Sequence, residues 1–124
     1  MIFGIGVDIA KVSRFEKWVK KEEMLSRFFN ENEIKDFSST QAACEHYAAR
    51  FAAKEALGKA LGTGIIGFDL KDVYIQNSES GKPDLFVQGK ILDLLKNKCE
   101  NPIIHVSLSH EKEYATAFVV IESR

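Results

Sequence analysis

Three side chains stand where they can do chemistry. Asp8 closes the apolar run Met1-Ile2-Phe3-Gly4-Ile5-Gly6-Val7, whose two glycines leave the backbone bare, and Glu55 and Lys59 lie one helical turn apart in "RFAAKEALGKALGTG". An aspartate in that place is either a cap for a helix starting near Ala10, accepting its first backbone N–H groups, or the first group of a site. Glu55 and Lys59 likewise read two ways. As an exposed i, i+4 pair they are worth only about 0.3–0.5 kcal/mol. Taken with Asp8, Glu55 supplies a second hard oxygen ligand. Magnesium suits such a pair, because it keeps much of its water and is held by one or two carboxylates plus substrate phosphates. Lys59 would then offer positive charge to phosphate oxygens or tune a proton-transferring group.

A third cluster is "HVSLSH", His105 to His110. In a strand, His105, Ser107 and Ser109 share one face and Val106 and Leu108 the other. The polar face is either a solvent-facing row or the wall of a cleft that donates to a phosphate. A serine hydrolase is disfavoured: there is no GxSxG elbow, and nothing local places Asp8 to orient a histidine. Gly62-Thr63-Gly64 and Gly81-Lys82-Pro83 are the loops best able to bring backbone amides to an anion, although neither is a Walker A loop.

The elements that must position these groups follow from periodicity. Residues 2–7 read as a buried strand, and Asp8 to Ser13 as the turn into a helical segment with Val12, Phe15, Trp18 and Val19 on one side. The other faces of that segment carry Lys11, Arg14, Lys17, Lys20 and Lys21. Asn30 is placed to cap a short helix through Phe37. A long helix is predicted from Thr40 to Leu61, ended by Gly62-Thr63-Gly64. Its columns Ala48, Ala52, Ala56, Ala60 and Ala49, Ala53, Leu57, Leu61 make a small-residue face that lets another element approach closely. Tyr47, Phe51, Glu55 and Lys59 form the neighbouring column. Asp72–Gln76 and Asp84–Val87 read as a hairpin around "NSESGKP", Ile91–Leu95 as a helix, and Ile103–Leu108 and Ala115–Ile121 as strands. The order β-α-α-α-β-β-α-β-β makes one α+β domain, 1–124, with a mostly antiparallel sheet packed on the long helix.

Composition narrows the function classes. The chain has 124 residues and a formal net charge of −1, which argues against wholesale nucleic-acid binding. Cys44 and Cys99 stand far apart, with no CxxC or Cys/His cluster, so two reduced thiols in a cytoplasmic protein are expected. The N-terminal run is too short for a signal peptide or membrane span, so no membrane partner is expected.

"GIGVDIAKVSRFE", "RFAAKEALGKALGTG", "SGKP" and "HVSLSH" followed by "EYATAFVVIE" together resemble the bacterial holo-[acyl-carrier-protein] synthases, small members of the 4'-phosphopantetheinyl transferase superfamily. The four blocks keep the family's order and spacing over nearly the whole chain; 20–45 matches no diagnostic pattern. The resemblance implies transfer of the 4'-phosphopantetheine arm of coenzyme A, the co-substrate, to a serine of apo acyl carrier protein, with release of adenosine 3',5'-bisphosphate. It implies Mg2+, with Mn2+ able to replace it, on Asp8 and Glu55. It makes Glu55, directly or through a water, and Lys59 the two candidates for handling the serine proton. It places His105, Ser107, Ser109 and, as a weaker match, Arg50 at coenzyme A; Gly62 and Thr63, from the loop able to bring amides to an anion, are expected as further contacts. It also implies a homotrimer with each site built across two subunits. Arg14 and Lys21, with Trp18 or Phe15 as apolar anchor, would dock the acidic carrier protein. A catalytically silent relative that only binds acidic carrier proteins would be expected to lack Asp8, Glu55 or Lys59, and all three are present.

Overall fold

The computed structural model describes residues 1–124. Three strands form an antiparallel sheet in the order β1 (Ile2–Lys11), β5 (Tyr114–Ser123), β4 (Pro102–His110), and a separate antiparallel ribbon pairs β2 (Val73–Asn77) with β3 (Pro83–Val87). The expected antiparallel arrangement is present, but the hairpin does not extend the larger sheet. Helix α3 (Thr40–Leu61) lies on β1 and β5, and β2 packs on α3.

The long helix has the predicted bounds because both ends are chemically specified. The Ser39 hydroxyl accepts from the Ala42 N–H at 3.1 Å, and Gly62 ends the helix at φ +83°, a left-handed conformation suited to glycine. Both small-residue columns are buried. Their purpose is visible at β1. A Cβ on Gly4 would lie 1.9 Å from the Ala60 carbonyl oxygen, and one on Gly6 would lie 1.9 Å from that of Ala56. Helix backbone therefore rests on strand backbone, and the two glycines of the opening run are the condition for it.

Strand alternation sorts the sheet into two faces. The rows Gly4–Ile121–Ile104, Gly6–Val119–Val106 and Asp8–Ala117–Leu108 face α3. The rows Ile5–Val120–His105, Val7–Phe118–Ser107 and Ile9–Thr116–Ser109 face outward. The outward face is apolar over β1 and β5: Ile5, Val7 and Ile9 are 61%, 56% and 61% exposed.

Three expectations need correction. β1 does not end at Val7: its pairing with β5 runs on to Lys11 opposite Tyr114, so Asp8 lies within the strand and caps nothing. The helical segment after it is a 3-10 turn, Val12–Phe15, followed by the single turn α1 (Glu16–Val19). The predicted Asn30–Phe37 helix is absent; the helix here is the earlier α2 (Glu22–Phe28). Asn30 does make a cap-like exchange, with its N–H donating to Glu33 Oε1 at 3.1 Å and its Oδ1 accepting from the Asn32 N–H at 2.9 Å. It closes only a turn, because the Glu33 carboxylate is drawn inward to Lys54. The remaining helix, α4 (Gly89–Lys98), buries Ile91 and Leu95.

The backbone contact predicts an asymmetry between glycines. Gly6→Ala should cost about 3 kcal/mol or more, since the added methyl meets rigid backbone on α3. Gly62→Ala has open space and only left-handed strain, about 1 kcal/mol. Urea denaturation of both variants checks the order; equal losses would remove the packing argument.

Candidate active site

Asp8 and the Glu55–Lys59 column converge between β1 and α3. Lys59 Nζ donates to Asp8 Oδ1 at 3.1 Å and to the Val7 carbonyl at 3.0 Å. Burial raises the Glu55 pKa first, and the neighbouring Asp8 carboxylate raises it further as a charge and a hydrogen-bond partner; Arg14 and Lys59 oppose the rise. Two carboxylates and two cations thus share one half-exposed cleft. No group of three or more His, Cys, Asp or Glu side chains gathers anywhere in the fold. The donor set fits a hard divalent cation held by Asp8 and Glu55, because such an ion relieves their mutual repulsion and takes its other oxygens from water and substrate phosphate.

Arg14 is closer to this chemistry than a docking role requires. Its guanidinium lies 4.9 Å from the Phe51 ring centroid, 5.6 Å from Phe15 and 5.8 Å from Trp18. Phe51 is one turn before Glu55 on α3, so this aromatic platform holds the arginine beside the carboxylates. Phe15 is fully buried and is no projecting anchor. Trp18 is half-buried, stacked on Phe28 at 5.0 Å and edge-on to Phe15 and Phe51. Lys11, Arg14, Lys17, Lys20 and Lys21 are all exposed, so the basic strip exists as a surface.

The other predicted residues do not join the cleft. His105, Ser107 and Ser109 are on the outward sheet face, opposite to the side carrying Asp8. His105 pairs with Glu122 at 2.9 Å and His110 lies 3.9 Å from Glu45, so neither imidazole addresses a serine hydroxyl. The Gly62–Gly64 amides are not open to an anion: Gly62 donates to the Lys59 carbonyl, and Thr63 and Gly64 donate to that of Gly58. The Thr63 hydroxyl donates to the Gly64 carbonyl. That loop finishes the helix and offers no backbone cradle.

Arg50 lies on a different flank of α3, about 7.5 Å along the axis from Glu55 and about 140° around it. It borders a cavity of ≈ 390 Å³ with Asn32, Lys35, His46, Gln76 and Asn77. Its Nε is buried without a hydrogen-bond partner, and Nη2 reaches Asn77 Oδ1 only at 3.5 Å. Burial, with Arg50 beside it, holds His46 down at about 3, so the imidazole is neutral and donates from Nε2 to the Glu33 carbonyl at 2.6 Å. Sequence reasoning missed His46, Asn77 and the buried Lys54–Glu33 pair. The available signal was Lys54 itself, a cation set among the buried small residues of α3.

The electrostatics of Glu55 predict a pH-dependent stability effect. Its folded pKa is raised above the unfolded value, so the folded state holds its proton more tightly and loses relative stability as pH rises from the ordinary carboxylate value upward. Glu55→Gln should therefore raise Tm at pH 7.5 in chelator, with the gain vanishing near pH 4. A lower Tm at pH 7.5 would contradict this account of the cleft.

Comparison with known proteins identifies the fold and the family. The profile of the 4'-phosphopantetheinyl transferase superfamily matches residues 4–119. A holo-[acyl-carrier-protein] synthase of Treponema denticola is 49% identical over 123 residues, covering 98% of this chain and 99% of that protein. The crystal structure of a holo-(acyl-carrier-protein) synthase from Bacillus anthracis in complex with CoA (3',5'-ADP) superposes with a TM-score of 0.78 at 38% identity, covering 100% of this chain and 99% of that one. The holo-[acyl-carrier-protein] synthase of Neisseria meningitidis gives 0.84 at 31% identity, covering 99% and 100%. With the profile running from β1 through α3 and into β5, the chain belongs to the 4'-phosphopantetheinyl transferase superfamily.

Proposed function

We propose that this chain, acting as one domain, transfers the 4'-phosphopantetheine group of coenzyme A to a serine of apo acyl carrier protein, and that the Asp8–Glu55–Lys59 cleft is where it does so. The convergence of those three side chains from β1 and α3 carries the reading. In the reaction the serine oxygen bonds to the phosphorus bearing pantetheine, and the bridging P–O bond breaks. Adenosine 3',5'-bisphosphate leaves with the electron pair. Asp8 and Glu55 would hold Mg2+, or Mn2+ in its place. When bound, the ion supplies positive charge to the pyrophosphate oxygens as the leaving group gains negative charge.

The chain's own residues do the rest. Glu55, whose pKa is pushed up from the ordinary value by burial and the Asp8 charge, takes the serine proton. Lys59, ion-paired to Asp8 and half-exposed, turns its ammonium to the phosphates. Arg14 holds an acidic residue of the carrier protein next to Glu55, and Lys17, Lys20 and Lys21 extend the attraction along the surface. Arg50 takes a phosphate of coenzyme A in its cavity, where a buried, unpartnered Nε favours an anion. A silent, binding-only relative is not favoured, because the carboxylates and Lys59 are already assembled.

The outward sheet face supports a homotrimer. Ile5, Val7, Ile9 and Phe118 form an exposed apolar strip on it, and the His105–Ser107–Ser109 row borders that strip. Covering the face with copies of this chain would bury it and turn that row toward a neighbour's cleft, giving sites shared between subunits. No helix of the chain is long and apolar enough to cross a membrane. We place the enzyme in the cytoplasm, where it would serve fatty-acid biosynthesis.

The functional test is intact-mass spectrometry of apo acyl carrier protein incubated with this protein, coenzyme A and Mg2+. A gain of one phosphopantetheinyl group is expected, abolished by EDTA and by Glu55→Ala; Arg14→Glu should be slow at low carrier-protein concentration and recover at high. Mass gain that persists in EDTA and in Glu55→Ala would refute the cleft assignment. For the assembly, sedimentation should give three chain masses for the natural protein and one for Phe118→Asp. An unchanged mass for Phe118→Asp would move the interface elsewhere.

A further inference from the structure

Lys54 and Glu33 form an ion pair with side chains 1% and 0% exposed, Nζ to Oε1 at 2.7 Å. Lys54 Nζ also donates to the Leu70 carbonyl at 3.0 Å and to the Val73 carbonyl, and it lies 5.3 Å from the Phe29 ring centroid. Glu33 is equally committed. Oε1 accepts from the Asn30 N–H at 3.1 Å, Oε2 accepts from the Ile75 N–H at 3.0 Å, and its main-chain carbonyl accepts from His46.

Two of these partners, His46 and Ile75, line the Arg50 cavity. Asn32 and Lys35 flank Glu33 in sequence and line the cavity; Ile75 lines it and leads along β2 to Asn77. His46 lines it, and Lys54 is one turn beyond Arg50 on α3. Three separate segments therefore meet on one carboxylate: α3 through Lys54, the 30–37 turn through Asn30, and β2 through Ile75. Desolvating two charges is costly, and well-packed apolar residues of similar size often stabilise as well, so net stability does not account for this pair. What it does provide is a fixed placement of three segments around one guanidinium.

We propose that the Lys54–Glu33 pair is a positioning device for coenzyme A: it holds the 30–37 turn and β2 against α3, so that the Arg50 cavity is preformed for the substrate's phosphate. Neither residue touches substrate. The inference rests on the reading of the Arg50 cavity as a coenzyme A contact, and the experiment separates the two.

Calorimetric binding of coenzyme A is measured for the natural protein, Arg50→Ala and the neutral double variant Glu33→Gln/Lys54→Met, together with KM for carrier protein. Weakening of coenzyme A by tenfold or more in both variants, with the carrier-protein KM of the double variant within twofold, is the expected result. Weakening in Arg50→Ala alone overturns the positioning role and leaves the cavity reading intact. No weakening in Arg50→Ala overturns both. A double variant in which coenzyme A affinity and kcat fall while the carrier-protein KM rises is merely loosened, which also overturns the inference. Should the double variant not fold, hydrogen exchange on the natural protein decides. Coenzyme A should slow exchange at the Asn30 and Ile75 amides more than at Ala117 within the sheet; equal slowing or none overturns the proposal.

Discussion

The contact of bare backbone on β1 with the small-residue face of α3 is the constraint from which the rest follows. Gly4 and Gly6 present no Cβ to Ala60 and Ala56, and any side chain there would collide with a helix carbonyl at 1.9 Å. A helix held off by ordinary side chains packs about 10 Å from its neighbour. Here it descends until carbonyl oxygens touch the strand. Asp8, two residues beyond Gly6 on the same face, is thereby brought to the side of Glu55 and Lys59. The alanines of α3 are thus part of the site without touching substrate: they set the separation at which a strand carboxylate and a helix carboxylate become one cleft.

That closeness sets up an electrostatic conflict, which Lys59 and Arg14 moderate from opposite sides. Lys59 is bonded to Asp8, and Arg14 is held over Phe51 by the aromatic cluster with Trp18 and Phe15. The raised pKa of Glu55 records its burial first and then the part of the conflict left over. A carboxyl in that condition is a poor contributor to stability and a good ligand or proton acceptor. The buried Lys54–Glu33 pair, anchored on the same helix by Lys54, is the contrasting case: each charge is matched and both carboxylate oxygens accept hydrogen bonds, so the groups support geometry instead of chemistry.

What was legible in the sequence was local. Ser39 and Gly62 bound α3 through contacts within a few residues, so Thr40–Leu61 could be read directly. The alternation of β4 and β5 and the glycine of the "SGKP" turn, with φ +88° at Gly81, were legible for the same reason. Misreadings arose where a distant partner overruled a local signal. Asn30 and Glu33 carry the signature of a helix start, but Lys54 from α3 captures the Glu33 carboxylate and the helix never propagates. Asp8 resembled a cap until pairing with β5 carried the strand past it. Glu22, Glu23 and Arg27 in "EEMLSRF" match the dipole of α2, a signal that was present and unused.

The same strand alternation ties the cleft to the outward face. Along β1, Gly4, Gly6 and Asp8 turn toward α3 while Ile5, Val7 and Ile9 turn away, so residues of the cleft and residues of the exposed apolar face interleave one by one. Shifting the register by a single residue would exchange the two sets: Val7 and Ile9 would meet the helix, and Asp8 would enter the apolar face. Ile5 or Val7 facing α3 would clash with it, whereas the glycines clear it, so only one register is compatible with the helix's approach. The close packing on one side of the sheet therefore also fixes the apolar surface on the other. The cleft and the apolar face are not independent additions to this fold; both are specified by which of two alternating sets carries the glycines.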